Sequence, residues 1–280
     1  MQDISDRDAA LNNCYRLIPK ELFNILSDEN FSRLKPNMQK EVTAALVNVN
    51  AADFISLVHT AETGKIYQII NHVLSVVVPE INNSAGIIDK FIGAGFTAFY
   101  PEGSNEIERA LTAAILMCEK VGQLGDPHNY YRDFSVGITH GKLILGIVGY
   151  EDRLSPMAFS EDTGFTEFLR KKAIGYNAKI LITENAIEKI PDFKKKYNTR
   201  KLGYFYIDSA NEEKLIYDVY DGDSAPMKNI KRKTKLLFEK GIDLYINKNY
   251  ADARSHFIEV LKANRWDMAA KEYCCYATAI

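Results

Sequence analysis

The chain has 280 residues, 46% of them hydrophobic and 26% charged, with a formal net charge of −2. That is enough apolar material for one full core with a smaller appendage, and the near-neutral balance gives no overall pull toward nucleic acid or an anionic membrane. The N-terminus lacks a basic and apolar leader, and no apolar run approaches ~20 residues. The cysteines Cys14, Cys118, Cys274 and Cys275 have no metal-ligand spacing, so reduced thiols and a cytoplasmic setting are expected, possibly as the cytosolic part of a larger signalling protein.

In chain order, residues 6–27 read as a helix with Leu11, Tyr15, Ile18, Leu22 and Leu26 on one face, interrupted near Pro19. Residues 43–50 are strand-like. Ile66, Ile69, Ile70, Val73 and Leu74 recur at helical spacing over 63–82, the pattern of a helix packed on a sheet. Two short strands flank Gly93-Ala94-Gly95, and a second amphipathic helix covers 106–121. The spacing then predicts a hairpin of 134–139 and 142–149 turning at His140-Gly141, a helix over 161–176, a strand at 179–183 and a short helix at 184–190. Strands at 201–207 and 214–220 close the set. Alternating strands and helices indicate an α+β sheet domain over 41–222, preceded by a helical lead-in at 1–40. Asp221 to Pro226 reads as a turn-rich linker, and 227–280 as a small all-helical appendage with helices at 231–246, 250–263 and 267–279. Gly241, Ala253 and Phe257 fall where a tetratricopeptide-like pair places small and aromatic residues between its helices. One such pair cannot bury its own face. It should therefore dock on the sheet domain or a partner, with Phe257 and Trp266 as anchors.

Several segments in order resemble the catalytic domain of bacterial class III adenylate and guanylate cyclases. Tyr15-Arg16-Leu17-Ile18-Pro19-Lys20-Glu21-Leu22 is similar to the family's F-V-P-x-E-F-L lead-in, and Asp89-Lys90-Phe91-Ile92-Gly93-Ala94 to its D-K-x-I-G-D hairpin. Val136-Gly137-Ile138-Thr139-His140-Gly141 resembles I-G-I-H-T-G, and Gly146-Ile147-Val148-Gly149 with Arg153 resembles G-N-V-G and the Arg after it. Ala178-Lys179-Ile180-Leu181-Ile182-Thr183 matches A-K-I-L-I-S. The resemblance covers about 15–221 and implies a ferredoxin-like sheet covered by helices.

The family's activity is a phosphorus-oxygen lyase reaction in which two Mg²⁺ or Mn²⁺ ions, held by carboxylates, stabilise the attacking and leaving oxygens. The resemblance places those two carboxylates at Asn50 and Ala94. Neither is charged. The family's ribose-orienting Asn and charge-neutralising Arg fall at Gly164 and Phe168, its base-specifying residue at Met157, and the Asp of its I-S-D turn at Glu161. Lys90 alone survives, at the purine-contacting position. A shift of register would bring in Asp53, which with Glu62 otherwise reads as a solvated acid. His140 reads as a turn residue, Lys228 to Lys235 as a solvated helix start, and Tyr204-Phe205-Tyr206 as strand packing.

The resemblance with these losses implies a catalytically inactive cyclase-homology domain, a pseudoenzyme used in cyclic nucleotide signalling as a dimerisation, regulatory or scaffolding module. No metal or cofactor is expected. Expected partners are a second copy or a related cyclase domain, with a protein partner for the tail and no nucleic acid or membrane contact. The alternatives are an enzyme forming cyclic AMP or cyclic GMP, and nucleotide binding without turnover.

Overall fold

The computed structural model describes residues 20–26, 35–126, 128–151, 153–207 and 212–277. Of the expected N-terminal helix only α1 (Lys20–Leu26) falls among them. The rest of that helix, with Tyr15 to Pro19 of the lead-in motif and Cys14, lies outside the described residues.

One sheet organises the chain. Its strands are β1 (Gln39–Asn50), β2 (Ile87–Ile92), β3 (Gly95–Pro101), β4 (Ser135–Tyr150), β5 (Arg153–Phe159), β6 (Ile180–Thr183), β7 (Thr199–Ile207) and β8 (Glu212–Val219). They run in the order β2-β3-β1-β4-β6-β8-β7, with β5 also paired to β4. β4 and β6 are parallel and the other described pairs are antiparallel.

The period-two alternation of side chains divides the core between the two faces. Ala45, Val47 and Val49 of β1, Val136 and Ile138 of β4, and Ile180 and Ile182 of β6 face one way. There they meet α2 (Phe54–Thr60), α3 (Thr63–Asn83), α4 (Glu106–Gln123), α6 (Glu184–Ile187) and α7 (Phe193–Lys196). On the other face Ala44 and Leu46 of β1 and Leu143 and Leu145 of β4 bury Leu22 of α1. Further along, Leu181, Leu202 and Ile216 lie under α5 (Asp162–Gly175) and the C-terminal helices.

Several expectations change here. The hairpin at His140-Gly141 does not form: β4 runs unbroken from Ser135 to Tyr150, and His140 is a buried mid-strand residue opposite Ala45. Gly141 is there for space, since a Cβ would lie 2.0 Å from Oδ2 of Asp162. The hairpin that does form joins β4 to β5 beyond Tyr150, and β5 was not expected from the sequence.

The stretch from Asp221 to Pro226 is not a loose linker either. Gly222 and Asp223 are buried, and α8 (Ala225–Ile246) begins at once, with Ser224 at its N-cap and Pro226 in its first turn. α9 (Tyr250–Ala263) and α10 (Met268–Tyr276) follow, with Asn249 and Asp267 each accepting a backbone N–H at the helix start.

The tail closes over the β7–β8 half of the sheet. Phe257 is fully buried against Phe238, at 5.6 Å between ring centroids, and stacks on Tyr273 at 5.4 Å. The hydroxyl of Tyr273 donates to the carbonyl of Leu202, 2.6 Å away. Trp266, expected as the second anchor, is 62% exposed and lies beside Arg265. The second anchor is ionic. Arg200 of β7 reaches Asp218 of β8 at 3.0 Å and Asp267 of the tail at 2.5 Å, and Lys231 of α8 reaches Asp218 at 2.8 Å and Asp223 at 2.6 Å. All five side chains are buried. Burial alone would push the Asp218 carboxyl up, but Lys231 and Arg200 hold it below the usual carboxylate range. Lys231 is thus the exception to a solvated basic stretch.

Candidate functional site

The two family metal positions meet at one end of β1. Asn50 is the last residue of that strand, paired with Gly95 on one side and Ser135 on the other. Ala94 is at the tip of the β2–β3 hairpin, and its carbonyl accepts from the N–H of Ala51 at 3.0 Å. The close approach needs Gly95, because a Cβ there would lie 2.1 Å from the carbonyl oxygen of Val49. The sequence therefore located the end of the site correctly. What it holds is not ionic: the side-chain amide of Asn50 donates to the carbonyl of Asp133 at 3.0 Å, and Ala94 is 3% exposed.

Neighbouring acids are engaged elsewhere. Asp53 is not a solvated residue: its carboxylate accepts from the N–H of Ser56 at 3.1 Å and caps α2. Asp133 accepts from Nε of Arg132 at 3.1 Å, and Glu62 is exposed and pairs with Lys65 at 2.9 Å. Among the described residues no group of three or more His, Cys, Asp or Glu side chains could hold a metal ion. Divalent ions of the Mg²⁺ class need several hard oxygen ligands, and the donor set of Asn50, Ala94 and a capping Asp53 does not fit one. Phe54, Ile55 and Val58 of α2, with Phe91 and Ile92 of the hairpin, leave this end of the molecule apolar and exposed.

Lys90 and Met157 come together on a groove of about 1450 Å³ between β2, β5 and α1. Asp89 and Arg153 also line it, as do Glu21 and Asn24. β2 bulges between Ile88 and Lys90, where Lys90 pairs with Thr97. Asp89 accepts from the Thr97 hydroxyl at 3.1 Å and lies 3.6 Å from the Lys90 ammonium, while burial pushes its carboxyl up. A cation with a buried carboxylate beside it is the part of the family's base-recognition wall that persists. Met157 adds only apolar surface to it.

Gly164 and Phe168 lie one turn apart on α5. Gly164 has open space where a Cβ would be. Phe168 is 38% exposed and stacks on Phe165 at 5.6 Å, with Phe205 of β7 at 6.0 Å. Glu161 is exposed. The acid built into the helix start is the next residue, Asp162, which takes the ammonium of Lys214 and packs on Gly141. Shifting the family pattern by that one residue would put Phe165 and Leu169 at the Asn and Arg positions, and both are buried and apolar. In neither register does α5 present an amide or a guanidinium able to meet a developing phosphate charge.

His140 is inside the protein. Its Nε2 lies 3.7 Å from a carboxylate oxygen of Glu106, and its carbonyl accepts from the amide of Asn185 at 3.0 Å. Burial lowers its pKa, assisted by Lys189 and opposed by Glu106, Glu102 and Asp162. Of the aromatic run, Phe205 packs against the tail core, whereas Tyr204 and Tyr206 are about half exposed.

Comparison with solved structures decides the fold. A bacterial light-regulated adenylyl cyclase superposes with a TM-score of 0.66 over 84% of this chain and 68% of its own, at 15% identity. The adenylyl cyclase CyaB from P. aeruginosa does so at 0.53 over 65% of this chain and 95% of its own, at 18% identity. The chain has the class III nucleotide cyclase fold. Sequence relatives agree: the terminal-differentiation-specific adenylate cyclase of Dictyostelium discoideum is 29% identical over 209 residues, and an adenylate cyclase of Anabaena cylindrica 20% identical over 188. Those alignments take in 73% and 64% of this chain but only 10% and 37% of the relatives' length. No family model matches the chain. A further cyclase structure, from the RhoGC fusion protein of Blastocladiella emersonii, is described as a dimeric guanylyl cyclase domain; it superposes at a TM-score of 0.52 over 64% of this chain and 97% of its own, at 14% identity. No helix of this cyclase-homology domain, among the described residues, is long and apolar enough to cross a membrane.

Proposed function

We propose that this protein is a catalytically degenerate cyclase-homology module that acts in signalling through protein contacts rather than by forming cyclic AMP or cyclic GMP. One observation carries the reading. Asn50 and Ala94 meet where the family gathers its metal carboxylates, and the Asn50 amide is already committed to the Asp133 carbonyl. Phosphoryl transfer is catalysed almost entirely by positioning and charge neutralisation, so losing both ligands removes most of what an enzyme of this class supplies. Gly164 and Phe168 remove the complementary half, so pairing with a second cyclase chain restores neither set. The proposed assembly is a homodimer or a heterodimer with a related cyclase domain, made through the face that carries Phe168 and Met157. Phe165 takes no part, because it belongs to the chain's own core.

Purified protein with ATP or GTP and Mn²⁺ or Mg²⁺ is expected to give no cyclic product above background. Robust Mn²⁺-dependent cyclisation would overturn the proposal. Light scattering at tens of micromolar tests the assembly: a monomer, or a dimer that Phe168→Arg leaves intact, refutes that interface.

A second reading, nucleotide binding without turnover, is favoured by Lys90 and Arg153 on the walls of one open groove. Calorimetric titration with ATP and GTP separates it from the first, with Lys90→Ala as the control that should abolish any heat.

A further inference from the structure

The charge on α8 is sorted by face. Its acids turn inward: Glu239 accepts from the N–H of Lys201 at 2.9 Å, and Asp243 takes the ammonium of Lys201. Lys231 is buried in the ionic anchor. Its other bases turn outward. Arg232, Lys233 and Lys240 are outside that network, and among the described residues none of the three makes an ion pair; Arg232 has only a 3.4 Å contact with the side-chain oxygen of Asn229. Arg232, Leu236 and Lys240 follow at intervals of one turn and so lie along one stripe, with Lys233 and Leu237 beside it. Leu236 is 80% exposed, more than any other large hydrophobic among the described residues, and Leu237 is 39% exposed.

We propose that this outer face of α8 is a docking site for an acidic protein segment, a helix or strand whose carboxylates meet Arg232, Lys233 and Lys240 and whose apolar side chain covers Leu236 and Leu237. Charge complementarity selects the partner: a face left basic because its own acids are spent inward is completed by carboxylates. Two adjacent leucines within the basic ring form the small apolar centre that such contacts need. A lipid surface fits less well. A membrane-lying helix buries a broad apolar side, and here that side, with Phe238 and Ile242, is already used in the tail core.

The test uses the full chain and a fluorescein-labelled amphipathic peptide built from glutamate and leucine, read by anisotropy. Phosphatidylcholine vesicles with phosphatidylserine form a second arm. Wild type should bind the peptide, more weakly as salt rises, and Lys233→Glu with Lys240→Glu should weaken binding about tenfold. Leu236→Ser, which leaves the charge intact, should weaken it by a comparable factor. Reversing Lys194 and Lys195, exposed lysines of α7, should change little. These are surface positions, so circular dichroism and melting should match wild type. The proposal fails if wild type ignores the peptide, if reversal at Lys194 and Lys195 matters as much, or if Leu236→Ser has no effect. Binding to the vesicles but not the peptide, lost on reversing Lys233 and Lys240, would assign the face to a membrane instead.

Discussion

Replacing Arg200 with methionine should loosen the tail from the sheet domain. The guanidinium is buried between Asp218 at 3.0 Å and Asp267 at 2.5 Å and stacks over the Phe238 ring at 4.4 Å. Methionine fills part of the volume but leaves both carboxylates. Asp218 retains Lys231 at 2.8 Å, whereas Asp267 keeps only the backbone N–H of Ala270, at 3.1 Å, and becomes an uncompensated buried charge. Removing one partner of a buried ion pair costs about 3–5 kcal/mol. With a urea m-value of about 3 kcal/mol/M, the midpoint should fall by roughly 1–1.5 M. Adding Asp267→Asn removes the stranded charge while preserving a helix-capping oxygen, and should recover about 1–3 kcal/mol. Urea titrations of the single and double variants, monitored by tyrosine fluorescence and circular dichroism, measure both. A loss below about 1 kcal/mol, or a double variant no more stable than Arg200→Met, would refute an ionic anchor of this kind.

Three further outcomes rest on packing and charge. Burial keeps the His140 pKa below its ordinary value, so the unfolded chain takes up the proton first as pH falls; stability should drop below about pH 6.5, and His140→Gln should flatten that part of a urea-midpoint profile. Gly141→Ala drives a methyl to within 2.0 Å of Asp162 and should cost about 1–3 kcal/mol in the same titration, with the ion pair to Lys214 disturbed. Phe257→Ala empties a fully buried site between Phe238 and Tyr273 and should cost about 3–5 kcal/mol by denaturation, whereas Trp266→Ala should stay within about 0.5 kcal/mol of wild type.

The sequence showed most of the sheet because hydrophobic period and turn residues agreed, as at Gly93 to Gly95 between β2 and β3. It misled at Gly141, where a residue chosen for close packing of α5 looked the same as one chosen for a turn. β5 escaped notice because Arg153, Ser155 and Pro156 interrupt its apolar pattern and its pairing is supplied by β4. The end of the site was legible from Asn50 and Ala94, since the hairpin motif fixes their register. Asp53 was misjudged because a capping carboxylate and a solvated one are the same residue type, told apart only by the Ser56 N–H that the helix start brings to it. The ionic anchor could not be read at all: Arg200, Asp218, Lys231 and Asp267 are brought together only when the tail folds back over β7.

The hydrogen bond from Asn50 to the Asp133 carbonyl also bears on reversal. An aspartate at 50 has no proton to offer, so it would face that carbonyl oxygen to oxygen, lose a contact that ties β1 to the segment before β4, and gain nothing until a second carboxylate stood at 94. A single-step return would therefore weaken the fold before any metal could compensate. Once the amide had taken that carbonyl, the loss of the site became self-maintaining, and the hairpin tip was left free to change toward the apolar surface it now presents.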